Sequence, residues 1–181
     1  MFRRIRVREP DVLRVPKGAC VNKLLPCYAV SRHASSAMDT GFQFEFLWND
    51  NDVFEIRVAA WNGQFGGSAD VYVPIGGLAE AAAKLEGFPH QPSDTREIQF
   101  GAFGREWAGG GVSMRFYCKD GAGHGLVEAR IESDYRAAHT AQSALLFAYI
   151  EAAAVDTFVT ELRCLETKLC GTALLRASGP P

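Results

Sequence analysis

The chain has 181 residues, 48% hydrophobic and 22% charged, with a formal net charge of −2; that suits one globular domain able to bury a core without a metal or disulfide staple. The charge is uneven: residues 1–37 hold eight Lys or Arg against two acids, and the remainder hold 11 basic against 19 acidic groups. An acidic body repels a phosphate backbone, which argues against a nucleic-acid partner, and no apolar run nears the roughly 18 residues of a membrane span.

Residues 1–37 contain three prolines and no sustained helical or strand period. A signal peptide needs a continuous apolar centre, which Lys23 and Pro26 interrupt. A basic arm for RNA or membrane would interleave aromatics among the charges. The favoured reading is a loose or spurious extension upstream of a natural start at Met38, followed by one domain over residues 38–166 and a flexible tail over 167–181.

Patterning begins at "FQFEFLW", where Phe42, Phe44, Phe46 and Trp48 alternate with Gln43, Glu45 and Leu47, the two-residue period of a half-buried strand. "NDND" (49–52) is a turn, because Asn and Asp side chains bond their own backbone. "VFEIRVAAW" then turns Phe54, Ile56, Val58 and Ala60 inward, with Glu55 and Arg57 outward, which completes an antiparallel hairpin. "NGQFGG" leads to a third alternating strand with Ala69, Val71 and Val73 on one side. These glycines join strand to strand, so they are neither a P-loop nor a dinucleotide fingerprint.

"LAEAAAKLEG" reads as a helix burying Leu78, Ala81, Ala82 and Leu85 and closing at Gly87. Further strands follow in "REIQFGAF", "GVSMRFYCK" and "LVEARIES", with Arg115 or Lys119 set to face Glu128 or Glu132. "ALLFAYI" (144–150) is a short apolar strand, doubly buried or near an edge. A closing helix over 151–166 spaces Val155, Phe158, Val159, Leu162 and Leu165 along one stripe. The order predicts the α+β class: a single curved antiparallel sheet of six to seven strands, with a mid-chain helix and a C-terminal helix packed on it.

Chemistry is sparse. His33, His90, His124 and His139 show no metal-ligand spacing, and Cys118 with His124 is a nucleophile pair only if an inward-facing thiol is reactive. The cysteines at 20, 27, 118, 164 and 170 form no disulfide framework, as in a reducing, cytoplasmic compartment. No catalytic, cofactor or metal site is expected. The acids are the better candidates: Asp50 and Asp52 in the first turn, and Glu128, Glu132 and Asp134 on or just beyond one strand. Their default reading is a solvated charged face, and beyond that a docking surface for a basic protein. The rival reading is a small-ligand binder or enzyme with Trp48, Trp61 and Trp107 lining a pocket.

The succession "FQFEFLW", "DVYVPIGGLAEAAAKLEGF", "IQFGAF", "SMRFYCKD", "LVEARIES" and "FVTELRCLE" resembles the immunity-protein family associated with wall-associated-protein toxins. The resemblance covers residues 42–166 and implies a non-enzymatic cytoplasmic protein that neutralises a partner toxin by binding it. An acidic body would suit a basic toxin, because complementary fields speed encounter.

Overall fold

In the computed structural model, residues 40–120, 124–138 and 140–178 are described, all within the unit Ser35–Pro181. The expected extension over residues 1–37 lies outside the described residues. The chain opens with three strands in succession, β1 (Gly41–Asn49), β2 (Val53–Trp61) and β3 (Gly66–Pro74). Side chains set both turns. Asp50 Oδ1 accepts from the amides of Asp52 and Val53 at 2.8 and 2.9 Å, and Asn62 Oδ1 accepts from those of Gln64 and Phe65 at 3.1 and 2.9 Å. The helix α1 (Gly77–Leu85) follows, then β4 (Thr95–Gly101), β5 (Gly111–Cys118) and β6 (Gly125–Glu132). A single turn α2 (Tyr135–Ala138), β7 (Ser143–Ile150), α3 (Ala152–Lys168) and β8 (Thr172–Arg176) complete it.

The α+β class holds, but the single sheet does not. Eight strands form two antiparallel four-stranded sheets, β3-β2-β1-β8 and β4-β5-β6-β7. Alternation identifies the inward face of each strand equally well in one sheet or two, so it carries no information about where a sheet breaks. Here β3 does not pair with β4. Instead it runs against the second sheet, and glycines admit the approach: Gly110 donates to the Asp70 carbonyl at 2.7 Å, and a Cβ on Gly110 would lie 2.9 Å from that of Ala69.

One core lies between the elements. Phe44 of β1 meets Phe100 of β4 edge-on at 5.4 Å and Phe158 of α3 at 5.1 Å, which ties both sheets to the long helix. The stripes expected on α1 (Leu78, Ala81, Ala82, Leu85) and α3 (Val155, Phe158, Val159, Leu162, Leu165) are the buried ones. Each fully buried aliphatic or aromatic side chain here contributes about 1.5–3 kcal/mol.

The tail over 167–181 was expected to be flexible; it instead supplies β8, which pairs antiparallel with β1 and buries Ala173 and Leu175. Only five residues long, β8 is held from both sides: β1 pairs with it, and Glu161 of α3 accepts from the Leu174 amide at 2.7 Å. The edge strand β7 is capped similarly, by Asn62 Nδ2 on the Phe147 carbonyl at 3.1 Å and the Ser178 amide on that of Tyr149 at 2.8 Å. Its inner side chains Leu146, Ala148 and Ile150 are buried, while Leu145 and Phe147 face outward.

Candidate functional site

The outer face of the first sheet carries the most distinctive grouping. Strict alternation would place Trp48 inside with Phe42 and Phe44, and it is 49% exposed. A bulge explains the difference. From Gly41 to Phe46 the strand pairs with β2 in one register, and after Phe46 the register slips by one residue, so Trp48 stands opposite Glu55 and not opposite Phe54. An extra residue in one strand turns the following side chains to the other face. On its other side Glu55 faces Tyr72 of β3, giving a cross-strand row Trp48–Glu55–Tyr72.

The next row is Glu45–Arg57–Asp70. Arg57 is held by Asp70 in a two-pronged ion pair, Nε to Oδ1 at 2.8 Å and Nη2 to Oδ2 at 2.9 Å. Glu55 differs: among the described residues no hydrogen bond or ion pair reaches its carboxylate. Partial burial, reinforced by the charge of Asp70 and opposed by Arg57, raises its pKa above the usual carboxylate value. Tyr72 is raised as well, by the charge of Glu55 first, then by burial, Asp134 and Asp70. The face is therefore crowded with negative charge.

Tyr72 also borders a groove of about 310 Å³ with Trp107, Glu80 and Lys84 of α1, and the β4 segment Ile98–Gly101. Its ring covers Gly109, where an added Cβ would fall 2.8 Å from Cδ2. Trp107 is 54% exposed at the rim. Of the three tryptophans expected to share a pocket, only Trp107 lines this groove; Trp48 sits on the open sheet and Trp61 packs over Gly66.

The five candidate acids divide. Asp50 and Asp52 sit at the β1–β2 turn beside the row; Asp50 is engaged in holding that turn, which lowers its pKa, and the Asp52 carbonyl accepts from Ile75 at 3.2 Å. Asp134 bonds the Arg136 amide at 2.8 Å and is near enough to Tyr72 to act on its titration. Glu128 and Glu132 lie on the outer face of the other sheet. There Glu128 is opposite Arg115, and Glu132 bridges Arg130 at 3.0 Å and the Gly104 amide at 3.2 Å. Glu55 and Asp70 were visible only as outward positions, because cross-strand neighbours require the register.

Two further groups are engaged within the chain. At the start of α1, Glu166 of α3 accepts from the amides of Gly76 and Ala79, both at 2.5 Å, at the positive end of the helix. Burial, with Asp94 and Asp120 nearby, raises the Cys118 pKa and so disfavours the thiolate, while His124 is hydrogen-bonded to Asp120 at 2.7 Å. Among the described residues no three His, Cys, Asp or Glu gather as metal ligands, and no helix is long and apolar enough to cross a membrane. His33 and His139 lie outside the described residues. No family model, curated protein or solved structure matches the chain.

Proposed function

We propose that this chain is a non-enzymatic binding module for a basic protein, engaged through the outer face of the first sheet. The observation that carries the reading is the row Trp48–Glu55–Tyr72, in which two exposed rings flank a half-buried carboxylate, with Asp70 and Asp134 near it and Asp50 and Asp52 in the adjoining turn. Aromatic side chains at the centre of a charged surface are the usual anchors of protein interfaces. Negative charge around them speeds encounter with a positive partner and discriminates against acidic ones. The narrower form of the reading is an immunity protein whose partner is a basic toxin in the cytoplasm, a compartment that suits the free thiols of Cys118 and Cys164.

Capture of partners from the source organism's lysate at low salt, with wild type and an Asp52→Lys/Glu55→Lys variant side by side, tests it. A basic protein held by wild type, released by rising salt and absent from the variant is the expected result. Equal retention by both proteins, or no basic protein at all, overturns it. A second reading, a small-ligand site, is favoured by one observation, the groove that Tyr72 and Trp107 share with Glu80 and Lys84. Its volume is at the lower end for such sites.

A further inference from the structure

Resting on that reading, we propose that the Trp48–Glu55–Tyr72 row is the seat for one arginine side chain of the partner. The fold builds such seats for its own arginines. Arg96 lies over the Phe88 ring at 5.7 Å while pairing with Asp94 at 2.7 Å, and Arg130 lies over Phe103 at 4.3 Å while pairing with Glu132 at 3.0 Å. In each, one ring and one carboxylate take the two faces of guanidinium chemistry, its π-stacking plane and its donor edge.

The row on the first sheet has the same parts, doubled in rings. Trp48 and Tyr72 flank Glu55 across three strands, so successive steps of about 4.8 Å place a carboxylate between two exposed aromatics. No arginine among the described residues sits in it, since the nearest, Arg57, is committed to Asp70 on both prongs. Glu55 is thus an acceptor already partly stripped of water and short of a donor. A guanidinium supplies two parallel N–H groups to it and a flat cation to the rings; a lysine ammonium supplies only the charge.

Three features argue for one specific seat over a diffuse acidic patch. The bulge after Phe46 brings Trp48 out to this position. The Arg57–Asp70 pair in the next row is closed on itself, and Asp50 and Asp134 each accept from backbone amides while their charge draws a cation in from a distance.

Hexa-arginine and hexa-lysine peptides at low salt, titrated into ¹⁵N-labelled protein, test the assignment on wild type, Glu55→Gln, Trp48→Leu and Glu97→Gln. Glu97→Gln removes one exposed carboxylate from the other sheet, where Glu97 lies 3.7 Å from Arg115. The arginine peptide should shift the Trp48 indole and Tyr72 signals and bind at least about threefold tighter than the lysine peptide. Its affinity should fall about tenfold in Glu55→Gln and about fivefold in Trp48→Leu, and stay within about twofold in Glu97→Gln. Equal losses in Glu55→Gln and Glu97→Gln, or no preference for arginine, overturn the seat and leave the basic-partner reading standing. Failure of both peptides to bind overturns the two together.

Discussion

Trp48 faces Glu55 across the hairpin, one residue out of step with the alternation that precedes it. The slip at the bulge leaves the largest side chain of the strand half exposed, where it contributes less to folding than the buried phenylalanines. Trp48→Ser should therefore lower the free energy of unfolding by about 1 kcal/mol, whereas Phe44→Ala, at the meeting of both sheets and α3, should lower it by about 3–5 kcal/mol. Deleting Leu47, the extra residue of the bulge, should make Phe46–Ile56 and Trp48–Glu55 consecutive pairs and leave the indole on the outer face. Urea unfolding with tryptophan emission reads all three; a blue-shifted native emission in the deletion, as from an indole moved into the core, would contradict the register argument.

Glu166 completes the start of α1 from another helix. Its carboxylate serves two amides that have no partner within α1, at the positive end of the helix dipole. Glu166→Ala should destabilise by about 1–2 kcal/mol, and Glu166→Gln, which keeps an acceptor and loses the charge, by roughly half as much. Faster hydrogen exchange at Gly76 and Ala79 than at the other end of the helix would accompany it.

At the far end of α1, Arg96 donates to the Lys84 and Glu86 carbonyls at 2.9 and 2.6 Å and grips Asp94 with the rest of its guanidinium. The hydrogen bond from Arg96 holds the Asp94 pKa below its usual value. Because the folded pKa is the lower one, the stabilisation is complete above the ordinary aspartate range and is lost as pH falls through the folded value. Asp94→Asn should lower stability near neutral pH by about 2 kcal/mol and flatten the acid limb of the stability–pH curve. A parallel curve, displaced but of equal slope, would contradict the assignment.

Gly101 has φ of +64°, and an added Cβ would stand 2.2 Å from the Gly110 carbonyl and 3.1 Å from Val71. Gly87 has φ of +70° with open space around it. Gly87→Ala should cost about 1 kcal/mol for the left-handed backbone alone, and Gly101→Ala about 3 kcal/mol, since there the Gly110 carbonyl must also give way. Thermal unfolding of the pair measures the close approach of the Gly101 and Gly110 backbones.

The faces of the strands were legible in the sequence because burial follows a period of two. Ile56, Val58, Val71, Met114, Phe116 and Val127 are all buried as alternation predicts. Both helices showed their buried stripes for the same reason. What the pattern lacks is neighbourhood. Nothing in "ADVYV" says that it passes beside Gly101 and Gly110, and "TALLR" after Gly171 is too short to announce a strand. The acids show the same limit. Asp50 was legible as a turn residue through its local hydrogen bonds, while the value of Glu55 depends on Trp48 and Tyr72, which become its neighbours only through pairing and one bulge.

The β1–β8 pairing has a bearing on synthesis. Residues 41–49 emerge early from the ribosome, yet the strand that closes their free side spans 172–176. Until then Phe42 and Phe44 adjoin an unpaired edge, the arrangement most prone to sticking to other chains. The first sheet is therefore finished only after translation has passed residue 176, and nascent chains halted before it should depend on chaperones for solubility.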